Sequence, residues 1–244
     1  MAQHIPLESG TRFQMGKGDS RHLVSPDSGA SCLTMNYSIF QPGHEFPQHL
    51  HDRSADIFIV LEGGVSVRQG DSYVPIHTGD FAYIPAGEVH GTVNQTNEQA
   101  ILISFQSPPD PSLYRGERDP STTGVVPRPP ANHVSKIQIR SLKSGARQST
   151  GSGNKWMPAT PATGTQEMEL WYIELAPGEQ VSVEAKPVSE AVWFVWEGAA
   201  TITANQDEFA AGQRSVVFVP PSEPQTAINR SEQVVKLIRC QAPA

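Results

Sequence analysis

The sequence predicts an all-β protein built from one unit used twice, and three observations predict it. Short apolar runs with period-two alternation recur along the chain, long heptads are absent, and 20 glycines and 21 prolines in 244 residues supply the turns that many short strands need. Four anchors repeat at a constant spacing: Pro42-Gly43 with Pro177-Gly178, Glu62-Gly63 with Glu197-Gly198, Pro85 with Pro220, and Asn94 with Asn229, each pair 135 residues apart. Between the halves, Ser107–His133 holds seven of the prolines, which cannot donate to a central strand, so this segment reads as a connection over the surface.

Taken in order, Asp56–Leu61 (DIFIVL) is a buried strand that stops at Gly63-Gly64. Val65 and Val67 alternate with Ser66 and Arg68, the pattern of a half-exposed strand, and Gln69-Gly70-Asp71-Ser72 reads as a hairpin turn. Phe81–Ile84 and Ala100–Phe105 follow as strands. Ser141–Gln166 is polar and rich in Ser, Thr and Gly, after which Leu170–Leu175, Ala191–Trp196, Val216–Val219 and Val234–Ile238 resume the strand pattern. Strands this short and close suggest a sandwich or a barrel. The expected division is a first unit over 1–106, a proline-rich connection over 107–140 and a second unit over 141–244.

The net charge of −7 argues against a non-specific nucleic-acid binder, which needs a basic surface to displace counterions. No apolar run approaches the ~20 residues of a membrane span, and MAQHIPLESG lacks the basic and apolar regions of a secretion signal. Cys32 and Cys240, far apart and outside any CxxC, read as two small buried or half-buried thiols, which fits a reducing cytoplasm.

The chemistry concentrates in the first half. His49 and His51 are two residues apart, so on a strand both imidazoles point to the same side. Asp56 opens the next apolar run, and His90 follows the turn Pro85-Ala86-Gly87 that aims it inward. Three imidazoles and a carboxylate meeting in an interior make a site for a divalent transition metal. Asp56 has a short side chain, which leaves two readings: it coordinates directly, or it orients an imidazole by hydrogen bonding. His44 and Glu88, in turns beside these motifs, are weaker candidates for an acid or base at a pocket rim.

The segments Gly43–Gly63 (GHEFPQHLHDRSADIFIVLEG) and Gly79–Asn94 (GDFAYIPAGEVHGTVN) closely resemble the two signature motifs of the cupin superfamily, G(x)5HxH(x)3–4E(x)6G and G(x)5PxG(x)2H(x)3N. Asp56 stands where that family normally has glutamate. The resemblance covers roughly 35–106, and reaches 168–240 only through the internal repeat. It implies two tandem small β-barrels of the double-stranded β-helix or jelly-roll type, a bicupin. It also implies one metal per chain (Fe, Mn, Ni or Zn) held by His49, His51, His90 and Asp56. At the 135-residue offset the second half has Glu184, Lys186, Ala191 and Gln225 instead, so its barrel is expected to be degenerate, with Trp193 filling the volume of a metal site. Glu190 is one residue out of phase with the carboxylate position and should face the other way.

Cupins include dioxygenases, decarboxylases, isomerases, lyases, cyclases and plain binders. The favoured expectation is a dioxygenase acting on a small enol, phenol or organic acid, because histidine-rich ligation leaves open positions for substrate and dioxygen together. Non-redox lyase, decarboxylase, isomerase or cyclase chemistry is the alternative, and a small-molecule-binding module without catalysis is the third. The expected partners are a small-molecule substrate and a second copy in a homodimer, with neither nucleic acid nor membrane.

Overall fold

The computed structural model describes residues 1–244. The chain is all-β, with helix confined to single turns of three or four residues. Its contacts divide it into two compact units.

The first unit comprises Thr11–His22 and Thr34–Ser141. Its larger sheet has seven strands in the order Gln138–Ser141, Asp80–Ile84, Ala55–Glu62, Ala100–Ser107, Thr34–Phe40, Gly18–Val24 and Thr11–Met15. Its smaller sheet has Glu45–His49, His90–Val93, Gly64–Gln69 and Ser72–His77. Alternation along these strands sends Phe40, Phe58, Val60, Ala82 and Leu102 from one sheet and Val65, Val67 and Ile76 from the other into a shared core. The hairpin read at Gln69–Ser72 is present, with Gly70 at φ 64°, a left-handed conformation that favours glycine.

The second unit comprises Met1–Gly10, Leu23–Leu33 and Leu142–Ala244. Its seven-stranded sheet runs Gln3–Ile5, Val216–Val219, Glu190–Glu197, Val235–Ala242, Glu169–Leu175, Asn154–Ala159 and Ala146–Ser149, and its four-stranded sheet Gln180–Val183, Gln225–Ile228, Ala200–Ala204 and Asp207–Ala211. The strand order matches that of the first unit element by element at the 135-residue offset.

The repeated anchors have a physical role. Asn94 donates its amide to the carbonyls of Phe40 and Glu98 and accepts from the Thr96 N–H. Asn229 does the same with Leu175, Gln233 and Ser231, each partner again shifted by 135. The Asn94 carbonyl takes the Gly43 N–H and the Asn229 carbonyl takes the Gly178 N–H, both at 2.9 Å. Both glycines have positive φ, 76° and 77°.

The structure departs from the sequence expectation in four respects. The sheets face each other over a core but do not close into barrels. The polar stretch Ser141–Gln166 contains two strands: Ala146–Ser149 is exposed throughout, and Asn154–Ala159 mixes buried and half-buried residues without strict alternation. The proline-rich segment is more than a surface connection. It forms helical turns at Pro111–Tyr114 and Pro120–Thr123, buries Asp110 and Leu113, and supplies the edge strand Gln138–Ser141. Residues 1–10 and 23–33 fall with the second unit, because Gln3–Ile5 pairs with Val216–Phe218 and Glu190 holds residues 31–33. Cys240 is buried and Cys32 half-buried, both as free thiols. No helix is long and apolar enough to cross a membrane.

Candidate metal centre

His49 ends the strand Glu45–His49 and lies directly opposite His90, the first residue of His90–Val93. The two strands approach closely because Gly91 has no side chain: a Cβ there would lie 2.9 Å from the Phe46 carbonyl oxygen and 3.1 Å from the Gln48 nitrogen. His51 follows two residues on. Its carbonyl accepts the Gly87 N–H at 2.7 Å, so the Pro-x-Gly turn that precedes His90 is tied to the His51 backbone. Asp56 comes from the facing sheet, on Ala55–Glu62. The ligand atoms of His49, His51, Asp56 and His90 lie within 4.8 Å of one another, so this group could hold one metal ion. These are the four residues that the sequence pointed to, and the structure brings them together.

The outer ring nitrogens show how the imidazoles are aimed. His49 Nδ1 is 2.9 Å from the Pro47 carbonyl oxygen and His90 Nδ1 is 2.9 Å from the Glu88 carbonyl oxygen. A carbonyl only accepts, so both Nδ1 atoms carry the proton and both Nε2 atoms are free to donate a lone pair. His51 Nδ1 meets a carboxylate instead, Asp110 Oδ2 at 2.8 Å. Asp56 Oδ2 lies 3.2 Å from His51 Nε2 and 3.5 Å from His90 Nε2, so the short side chain reaches the centre. Its other oxygen takes a hydrogen bond from Gln106 Nε2 at 3.0 Å. The donor set suits a divalent transition metal: three aligned imidazoles, one anchored carboxylate, and outer atoms already satisfied.

Burial dominates the electrostatics, and the neighbours decide the outcome. Burial, then the charges of His90 and His51, hold His49 well below its ordinary value. For His51 burial pulls the same way, yet the charge of Asp56 and the hydrogen bond that the ring donates to Asp110 outweigh it and raise the ring to about 9. Asp56 is held far below the carboxylate range: burial opposes ionisation, and His51 and His90 overcome it. Asp110 falls to about 2 against the same opposition, through hydrogen bonds to His51 and Arg118.

Asp110 and Gln106 were missed by sequence reasoning. Asp110 lies in the run Ser107-Pro108-Pro109-Asp110-Pro111, where it caps the Pro111–Tyr114 turn by accepting the Ser112 N–H at 3.0 Å. Its backbone N–H donates to Gln106 Oε1 at 2.7 Å, and Arg118 Nε donates to its Oδ2 at 3.0 Å. An aspartate between prolines reads locally as a helix cap, and only its tertiary placement reveals the imidazole contact.

A narrow cavity of about 60 Å³ adjoins the centre. His49, Asp56 and His90 open onto it; Phe40, Phe46, Phe58 and Leu102 wall it; Asn36, Ser104 and Thr92 supply polar edges. Neither His44 nor Glu88 lines it. Glu88 is buried and binds His133 Nε2 and Gln69 Nε2, both at 2.8 Å, which fastens the far end of the proline-rich segment. His44 sits half-buried in the turn before Glu45–His49.

A two-sheet all-β unit with such a cluster belongs to the class of β-folds that can carry a metal between their sheets. Within it, residues 36–105 match the family model described as the cupin domain. The chain is 31% identical over 99 residues to the polyketide synthase protein CurC of Streptomyces cyaneus, covering 39% of this chain and 64% of that one. It is 27% identical over 131 residues to the tetracenomycin polyketide synthase protein TcmJ of Streptomyces glaucescens, covering 53% and 86%. A variant of oxalate decarboxylase from Bacillus subtilis superposes with a TM-score of 0.74 at 13% identity, covering 98% of this chain and 76% of that one. That identity shows a shared fold; Mn(II) centres are described for that decarboxylase.

Proposed function

We propose that the first unit is a metal-dependent enzyme centre acting on a small enol, phenol or organic acid, with oxygenation as its reaction. The observation that carries this reading is the meeting of three imidazole Nε2 atoms and Asp56 Oδ2 at a cavity with aromatic walls. His49, His51 and His90 would hold Fe, Mn, Ni or Zn, and Asp56 would complete the set. A structural zinc site closes with four protein donors, whereas an ion that prefers six ligands would keep positions open at these four residues. When bound, such an ion supplies a Lewis acid and, where redox-active, the electrons for dioxygen chemistry.

The chain's own residues do the rest. Phe40, Phe46 and Phe58 exclude water and offer flat apolar walls to a planar substrate. Asn36, Ser104 and Thr92 offer hydrogen bonds to its oxygens. Gln106 holds Asp56 by one oxygen and leaves the other at the imidazoles. The similarity to two polyketide synthase proteins and to a decarboxylase fold favours non-redox cyclisation, decarboxylation, isomerisation or lyase chemistry as the second reading. We further propose that the two units descend from a tandem duplication, and that the protein is a cytoplasmic homodimer.

The test is oxygen uptake by Fe(II)-, Mn(II)- or Ni(II)-loaded protein over a panel of enols, diketones and phenolic acids. Stoichiometric oxygen consumption supports oxygenation. Equal turnover without oxygen, or with zinc, moves the assignment to the second reading. Binding without turnover under every metal leaves a binding module.

A further inference from the structure

The second unit holds a buried cation with no carboxylate hydrogen-bonded to it. Arg239 is 1% exposed. In the sheet it lies directly between Trp171 and Trp193 on the flanking strands, and its guanidinium carbon is 4.7 Å from one ring and 5.5 Å from the other. Nε donates to Gln225 Oε1 at 3.2 Å and Nη2 to Gln241 Oε1 at 2.8 Å. Nη1 is buried without a hydrogen-bond partner. Both amide acceptors are neutral, so nothing in contact with the guanidinium cancels its charge.

The position is informative. In the first unit the register-equivalent residues are Asn36, Ser104 and Phe58, and all three line the cavity beside the metal centre. In the second unit Gln225, at the offset of His90, accepts from both Trp193 Nε1 and Arg239 Nε. A cation on an arginine therefore stands in the region where the first unit would hold a cation on imidazoles. Around it positive charge predominates. Half-buried Lys155 has its Nζ 4.0 Å from the centre of the Trp171 ring, and Lys186 reaches Glu169 at 3.5 Å. Glu169, which also accepts from the Trp171 indole, is the one carboxylate acting on Arg239, Lys155 and Lys186 together.

We propose that the second unit binds a small organic carboxylate, one oxygen accepting from Arg239 Nη1 and the apolar part lying against Trp171 and Trp193. Water would satisfy the N–H but leave a buried charge unneutralised, which is costly in a low-dielectric interior. A carboxylate does both and gains a charge-assisted hydrogen bond. Lys155, half-buried with its Nζ against the Trp171 ring, adds a second positive charge that attracts the anion. This site is independent of the metal reading.

All four tryptophans (156, 171, 193 and 196) belong to this unit, so indole fluorescence of the whole protein reports on it alone. Acetate, succinate and inorganic phosphate are titrated at constant ionic strength set with chloride. The expected result is a saturable change in emission with acetate or succinate, lost in Arg239→Met and weakened several-fold in Lys155→Gln. Saturation with phosphate but not with the carboxylates overturns the ligand class. No saturable change, or the same change with chloride alone, overturns the site. Should Arg239→Met fail to fold, Lys155→Gln decides: unchanged affinity overturns the proposal.

Discussion

Among the three imidazoles His51 is singular, because its outer nitrogen faces a carboxylate while those of His49 and His90 face carbonyls. A carboxylate makes the ring a stronger donor and fixes its orientation. Asp110→Asn should therefore weaken metal binding about 10- to 100-fold while leaving the fold intact. Glu88→Gln, whose side chain binds His133 and Gln69, should change it little. Competition titration against a chelator measures both, and equal effects would remove Asp110 from the site. The same contact sets a pH dependence in metal-free protein. The pKa of His51 is raised to about 9 by Asp56 and Asp110, so its share of stability is full below the ordinary histidine value of ~6.5 and is lost as pH rises through 9. Asp56 is depressed, so its share is present above the ordinary carboxylate value and is lost on acidification. Thermal denaturation of chelated protein should show a melting temperature that falls as pH rises from ~6.5 through about 9, and Asp110→Asn should flatten that fall.

At the scale of the element, close approach and latching decide the geometry. Gly91 lets the strands of His49 and His90 pack backbone to backbone, and the atoms a Cβ would meet are main-chain atoms that cannot swing away. Gly91→Ala should part the two strands and weaken metal binding more than it lowers stability. Affinity and melting temperature measured on one preparation separate the two effects. In the second unit Glu190 is buried and accepts from the N–H groups of Ser31, Cys32 and Leu33 and from the Ser31 hydroxyl. It faces that segment and not the Trp193 side, as its phase in the strand required. Glu190→Ala strands the buried Leu33 amide and loses two part-buried bonds, and should cost about 1–3 kcal/mol, the penalty of one buried unsatisfied donor. A chemical-denaturation curve superimposable on the parent's would show the latch to be inert.

These elements also show what a sequence can and cannot carry. The four residues of the candidate site were legible because their spacing matches the motifs on which the resemblance rests; strand alternation alone does not carry them, since the strand ends at His49 and His51 lies beyond it. The braces at Asn94 and Asn229 were legible as repeated letters, and the structure supplied their reason. Asp110 was not legible, since its contact with His51 depends on how a proline-rich segment docks, and Gln106 was not, since its contact with Asp56 depends on the register of Ala100–Ser107 against Ala55–Glu62. The same holds for Gln3–Ile5, too short to signal a strand and paired with residues near the other end of the chain. Arg239 is one charged letter in an apolar strand, and its burial between two tryptophans appears only when three strands align.

The whole molecule uses one strand order twice and differs in what each unit places inside it. The first has three imidazoles and a carboxylate; the second has Glu184, Lys186, Ala191 and Gln225 at the same offsets and a guanidinium in the interior. One cluster that could hold a metal is therefore present, and loaded protein should hold one equivalent of metal per chain by elemental analysis. Replacing His49 and His51 together with Ala should empty it, while Gln225→Ala should not. A harder test comes from rebuilding the second unit. Gln225→His with Ala191→Asp restores two donors, yet the Arg239 charge would repel a divalent ion at close range, and the repulsion is weakly screened in a buried site. Stoichiometry should stay at one in that double variant. A second equivalent bound while Arg239 remains would show that the guanidinium does not occupy the metal's place.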